Sequence, residues 1–197
     1  MPRPRVLLDV DGVLADFLTP SLTILTRLTG RGWQPSDFPT WDLFDTVPRT
    51  FEQPFYDAVN TPGWCRDIPV FEDAIAGVTR LREHADLYIV TSPMNHVPTW
   101  THEREQWLLE YFSIEPKKVV HTSAKYICRG DVLVDDRPSN IAAWEAEHPD
   151  GVGLLWDQPY NQLERVGIRV RTWAQVRLIV AGLPGNLPLL KQGIYPW

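Results

Sequence analysis

The chain has 197 residues, of which 44% are hydrophobic, 22% charged and 11% aromatic, enough for one ordinary globular domain with a small insertion. A formal charge of −6 supplies no positive field to gather phosphate backbones, which argues against a dedicated nucleic-acid polymer binder. Two cysteines without a C-x-x-C pair exclude a disulfide scaffold or a four-thiolate zinc site, and Asp9 and Asp11 interrupt the N-terminal apolar run far short of signal-peptide or membrane-spanning length; the chain reads as soluble and cytoplasmic, with no membrane partner.

The first apolar run, Val6 to Val10, is short, does not alternate and meets acidic residues, as expected of a parallel strand covered on both faces. A helix is predicted from about Phe17 to Leu28. Residues 30 to 70 then hold many Pro, Trp, Phe and Asp but no strand-like run, so 16–71 reads as a helical insertion packed over one end of a sheet. From residue 72 the alternation resumes, with a helix over Ala74 to His84, a strand over Leu87 to Val90, a helix over Thr99 to Phe112 and a strand at Val119 and Val120. A strand over Val132 to Val134 and a helix over Ile141 to His148 follow, and segments 151–157 and 168–173 are expected to add two edge strands. The last predicted helix spans Thr172 to Ala181, N-capped by Thr172 and stopped by Gly182. The tail, 183–197, is too rich in Pro and Gly for a helix and is expected to run across the surface or dock on a neighbour. This order implies an α/β fold: a Rossmann-like parallel sheet with helices on both faces, formed by residues 1–15 and 72–197, with 16–71 as a small helical cap inserted after the first strand.

Open α/β sheets bind ligands beyond the C-terminal ends of their strands. Asp9 and Asp11 follow the first run, Thr91 and Ser92 the second, Lys125 comes shortly after the third, and Asp135 and Asp136 follow the fourth. Carboxylates crowded at one crevice repel: at an effective dielectric of about 20, a pair near 4 Å costs about 4 kcal/mol. A cation must sit among them, and Mg²⁺ binds through one or two carboxylates, waters and a substrate phosphate. Lys125 adds a mobile point charge suited to a phosphoryl oxygen. Asp9, ionised at neutral pH, needs no base to attack phosphorus. Asp11, beside Gly12, suits a general acid that protonates the departing oxygen and later takes a proton from water. Thr91 and Ser92 are expected to hydrogen-bond the transferring group, and Asp135 and Asp136 to complete the metal shell.

DVDGVLADF (9–17), VTSPM (90–94), Lys125 and VLVDDRPSN (132–140) resemble the four motifs of the haloacid dehalogenase superfamily, and within it the 5′(3′)-deoxyribonucleotidases. WLLEYF (107–112) and the spacing from Lys125 to the DDRP run add to the likeness, which covers residues 5 to 17 and 72 to 175 and leaves the insertion poorly matched. The resemblance implies a five-stranded core with a small cap, Asp9 as nucleophile and metal ligand, and Asp11 as acid/base that also lends a backbone carbonyl to Mg²⁺. It makes Asp136 the direct ligand with Asp135 in the outer shell, sets Phe17 against the nucleotide, and gives Thr91 and Lys125 the phosphate. HTSAK (121–125) departs from the family in lacking an Arg just before the Lys, a position tied to base or sugar contacts.

Blander readings stand beside these. D-x-D-G also opens calcium loops, but an EF-hand needs Gly and Glu where this chain has Leu14 and Pro20. Ser92 serves equally well as a cap, Arg137 as a helix-start ion pair or a substrate ligand, and Trp41 and Phe44 as base-stacking or cap-core residues. The five histidines form no metal spacing, and Gly151 and Gly153 lack the rest of a dinucleotide fingerprint. The sequence thus leads to a Mg²⁺-dependent phosphomonoesterase whose partner is a small nucleotide, with homodimer formation left open. The rivals are the same chemistry on a sugar phosphate or other metabolite, a polynucleotide 3′-phosphatase, and a non-catalytic nucleotide-binding module.

Overall fold

The computed structural model describes the backbone of residues 3–191 and side chains as far as Leu183. Six strands form one all-parallel sheet: β1 (Arg5–Leu8), β2 (Asp86–Thr91), β3 (Val119–His121), β4 (Val132–Asp135), β5 (Val152–Trp156) and β6 (Ile168–Val170), in the spatial order β3-β2-β1-β4-β5-β6. Every residue of β4 and β5 is buried, which is why their sequences show continuous apolar runs rather than alternation. Two expectations need correction. The core has the six strands read along the chain rather than the five that the resemblance implies, and segment 151–157 supplies an interior strand, since β6 pairs outside it and takes that edge alone.

The helices are α1 (Leu18–Thr29), α2 (Glu52–Val59), α3 (Ala74–Leu81), α4 (Trp100–Phe112), α5 (Pro138–Glu147) and α6 (Trp173–Lys191). One face of the sheet packs Val6, Leu8, Ile89 and Val134 against residues of α3, α4 and α6. The other packs Leu7, Val90, Leu133 and Leu155 against Ile141 and Trp144 of α5. Thr172 caps α6 as predicted: its hydroxyl accepts from the Gln175 N–H, and the Gln175 carboxamide accepts from the Thr172 N–H. The helix does not stop at Gly182, however, and carries on through most of the expected irregular tail to Lys191. Each proline removes only one backbone donor, and propagating an established helix is easier than starting one. Residues 192–197 lie outside the described residues.

Between β1 and α3, α1, α2 and short 3₁₀ turns enclose a separate apolar cluster that includes Leu22, Leu25, Trp33, Phe38, Phe44 and Phe55. The chain leaves and re-enters the sheet layer at one place: Asp16 N–H donates to Pro69 O and Phe71 N–H to Leu14 O. The return segment is held against α4. Glu103 accepts from the Gly63 N–H at 2.8 Å and the Arg66 N–H at 3.3 Å, and the Trp107 indole donates to Ile68 O at 2.8 Å. Burial pushes the Glu103 carboxyl pKa up, but its hydrogen bonds, led by that from the Gly63 N–H, outweigh it and hold the pKa below its ordinary value. Glu103→Ala leaves these backbone donors unmatched and is expected to cost about 2–4 kcal/mol, read from the urea midpoint. An unmoved midpoint would show that the attachment carries no weight.

Candidate active site

Registry levels the strand ends. Leu8 pairs with Ile89 on one side and Val134 on the other, and the Asp9 N–H continues the ladder to Val134 O at 2.9 Å. Strand order reverses between β1 and β4, so the residues after these strands share the crevice of a topological switch point. Asp9, Asp135 and Asp136 each bring a carboxylate oxygen within 4.8 Å of the others, and all three are buried.

Lys125 is the cation among them. Its ammonium lies 2.7 Å from Asp9 Oδ1 and 2.7 Å from Asp135 Oδ2. Burial works against its charge, yet the two carboxylates prevail and hold its pKa above the usual lysine value. Asp135 is satisfied on both oxygens: Oδ1 accepts from the Arg137 N–H at 2.8 Å and from Asn140 at 3.1 Å, and Oδ2 from Lys125 and Asn140. Asp136 accepts from the Tyr160 hydroxyl. Burial and the neighbouring Asp135 and Asp9 push its carboxyl pKa well up, and the Tyr160 phenol is likewise raised by burial and by Asp136. Gly12, at φ 80°, passes so close beneath this pair that a Cβ there would strike Asp136 Oδ2 and the Tyr160 oxygen.

Asp9 Oδ1 also accepts from the Val10 N–H at 2.7 Å. Burial raises the Asp9 pKa to about 7, helped by Asp135 and opposed by Lys125, so without a divalent cation the carboxyl is not fully ionised at neutral pH as its ordinary value leads one to expect. A folded-state pKa above the unfolded one means that stability present below pH 3.8 is lost as pH rises through about 7. The protein without divalent cation is therefore expected to lose urea resistance across that window, and Asp9→Asn to flatten the loss. A parent profile that is level there would contradict this charge crowding. The donor set, all oxygen and in excess of negative charge, fits a hard divalent ion.

The Asp11 carboxylate does not join the cluster. It lies at the cavity wall and pairs with Arg104 of α4, Oδ1 to Nη2, at 2.6 Å. The Thr91 hydroxyl is buried at the end of β2 without a partner among the described residues. Asp9, Asp11, Ser92, Lys125 and Asp136 open into a cavity of about 410 Å³ that Phe17, Trp41, Phe44, Tyr56 and Trp100 also line. Phe17 meets Trp64 edge to face at 5.5 Å. Phe44 belongs to the insertion's apolar cluster, as its cap-core reading expects, and also lines the cavity. Trp41 is 45% exposed and lies under the Arg137 guanidinium at 3.8 Å, where Arg137 makes a cation–π contact rather than a helix-start ion pair.

Sequence reasoning missed Arg104, Tyr160 and Asn140. Arg104 sits in a polar run, THEREQ, that reads as a solvated face; Trp100 and Trp107, one helical turn to either side, were the sign that this face is buried. Tyr160 follows β5, where the same strand-end rule that found Asp135 would have found it.

Solved haloacid dehalogenase-like hydrolases share this α/β fold. Such a hydrolase from Streptococcus pneumoniae superposes with a TM-score of 0.59 at 12% identity, over 88% of this chain and 96% of its own. Another from Bacillus subtilis, provisionally assigned and crystallised bound to magnesium, gives 0.55 at 14% identity, over 91% and 99%. Residues 3–183 match the family described as 5′ nucleotidase, deoxy (pyrimidine), cytosolic type C protein, and the chain belongs to that family of phosphomonoester hydrolases. It is 31% identical over 178 residues to a Staphylococcus epidermidis protein provisionally designated a 5′(3′)-deoxyribonucleotidase, spanning 90% of this chain and 96% of the relative. The 5′(3′)-deoxyribonucleotidase of Bacillus subtilis strain 168 is 27% identical over 175 residues, or 87% of this chain and 95% of that one. Among the described residues, no helix is long and apolar enough to cross a membrane.

Proposed function

We propose that the protein is a Mg²⁺-dependent phosphomonoesterase for (deoxy)ribonucleoside monophosphates, acting through a phosphorylated Asp9. The observation that carries this reading is the cavity's mixed lining: the charged groups of Asp9, Lys125 and Asp136 share one cavity with the aromatic rings of Phe17, Trp41, Phe44 and Tyr56. An aromatic wall suits a nucleobase better than a bare sugar phosphate.

Asp9 and Asp136 would hold the metal with the Asp11 carbonyl, while Asp135, saturated by Lys125, Asn140 and the Arg137 N–H, orients Lys125 from behind. When bound, Mg²⁺ supplies positive charge that draws in the phosphate and offsets the crowded carboxylates. In the first step an Asp9 oxygen bonds to phosphorus, the ester P–O bond breaks, and Asp11 protonates the leaving oxygen. In the second, Asp11 takes a proton from water as the water oxygen attacks phosphorus, releasing phosphate and restoring Asp9. Thr91 and Ser92 donate to the phosphoryl oxygens, which gives the buried Thr91 hydroxyl its missing partner. Lys125 spreads its charge over the transferring group. Residues 16–71 act as the cap that closes over the substrate and excludes bulk water, and the net charge of −6 favours free nucleotides over polymers.

The test is a panel of nucleoside 5′- and 3′-monophosphates, sugar phosphates and 3′-phosphorylated oligonucleotides, with Mg²⁺ present and released phosphate measured. Nucleoside monophosphates are expected to lead in kcat/KM by at least about tenfold, as befits about 1.4 kcal/mol of base contact. Equal turnover of a sugar phosphate would overturn the substrate assignment.

A further inference from the structure

Arg104 is the most completely buried charged side chain outside the acidic cluster, at 0% exposure. Its guanidinium lies 5.3 Å from the Trp100 ring and 5.4 Å from the Trp107 ring. Nε and Nη1 are buried with no hydrogen-bond partner among the described residues, and its ion pair is with Asp11, through Nη2. A guanidinium placed only to stabilise packing makes poor physical sense here. Burying an ion pair gives little net stability, and unmatched buried donors carry a further cost. What this arrangement does achieve is orientation: two indoles fix the plane of the guanidinium, and the guanidinium holds one oxygen of a carboxylate at the cavity wall.

We propose that Arg104 is a positioning residue for the proton transfer, resting on the reaction described above. With Oδ1 occupied by the guanidinium, Oδ2 is the oxygen of Asp11 that carries the proton. In the first step that proton passes from Oδ2 to the leaving oxygen as the ester P–O bond breaks and its electron pair moves to that oxygen. In the second, Oδ2 takes a proton back from the attacking water. Arg104 is buried and does not line the cavity, so its loss disorders the acid without removing it.

Leaving-group dependence separates this role from a merely structural one. A nucleoside alkoxide needs protonation to depart, whereas 4-nitrophenolate does not. Arg104→Met is expected to lower kcat on a nucleoside monophosphate by about 100-fold with little change in KM, and kcat on 4-nitrophenyl phosphate by less than about tenfold. Asp11→Asn should show the same selectivity in stronger form. Arg104→Lys keeps a cation but loses the planar fork, and is expected to fall between parent and Arg104→Met. It decides the matter by the same comparison if thermal melts show that Arg104→Met does not fold. Equal losses on the two esters, or an unchanged kcat on the nucleotide, would overturn the assignment. A parent protein that hydrolyses neither ester would overturn the underlying reaction, and the role of Arg104 with it.

Discussion

Asp9→Asn protein is expected to fold, to bind nucleotide, and to hydrolyse it at least about 10⁴-fold more slowly than the parent. The amide keeps the shape of the carboxylate, and its oxygen still accepts from the Val10 N–H and from Lys125. It lacks the anionic oxygen that would bond to phosphorus. Because Asp9 shares its pocket with Asp135 and Asp136, the substitution removes repulsion as well as reactivity. Thermal stability without divalent cation should hold or rise, so a dead enzyme here is not an unfolded one. Residual turnover within tenfold of the parent would take the nucleophile's role from Asp9.

Lys125→Met should instead damage both stability and rate. The ammonium is the shared partner of Asp9 and Asp135, and truncating one member of a buried ion pair costs about 3–5 kcal/mol because the remaining charge has no compensation. The sign of its pH dependence follows from the same contacts. Lys125 opposes the burial that raises Asp9, so without it Asp9 stays protonated to still higher pH. The deficit relative to the parent is therefore largest at about pH 8, where the carboxylates must be charged, and smaller at about pH 5, where protons replace the lost cation. Urea midpoints at the two pH values measure it. A deficit that is equal at both would mean that Lys125 acts through packing alone.

Much of this site was legible before any coordinates. Asp9, Asp135 and Asp136 come together as the sequence suggests because a doubly wound sheet places each strand's C-terminal end at one crevice, and short apolar runs mark those ends plainly. What stayed hidden depended on side-chain direction. Sequence spacing cannot tell that the Asp11 carboxylate turns from Asp9 toward α4, or that Arg104 in a polar run faces inward. The extent of α6 was misread because Pro and Gly count against a helix locally, whereas extension from the well-capped start at Thr172 is cooperative. The status of 151–157 as an interior strand followed from pairing with β6, a non-local fact. The insertion's many aromatics were ambiguous for a simple reason: residues such as Phe44 serve its own core and the cavity wall at once.

The most direct test of the account is to quench the enzyme with acid during steady turnover of a nucleoside monophosphate in Mg²⁺ and to map the peptides by mass spectrometry. One phosphoryl group on the peptide containing Asp9, absent in Asp9→Asn and absent when Mg²⁺ is withheld, is the predicted result. A fully active enzyme whose Asp9 peptide never carries phosphate under that quench, or a phosphoryl group found on another side chain, would contradict it.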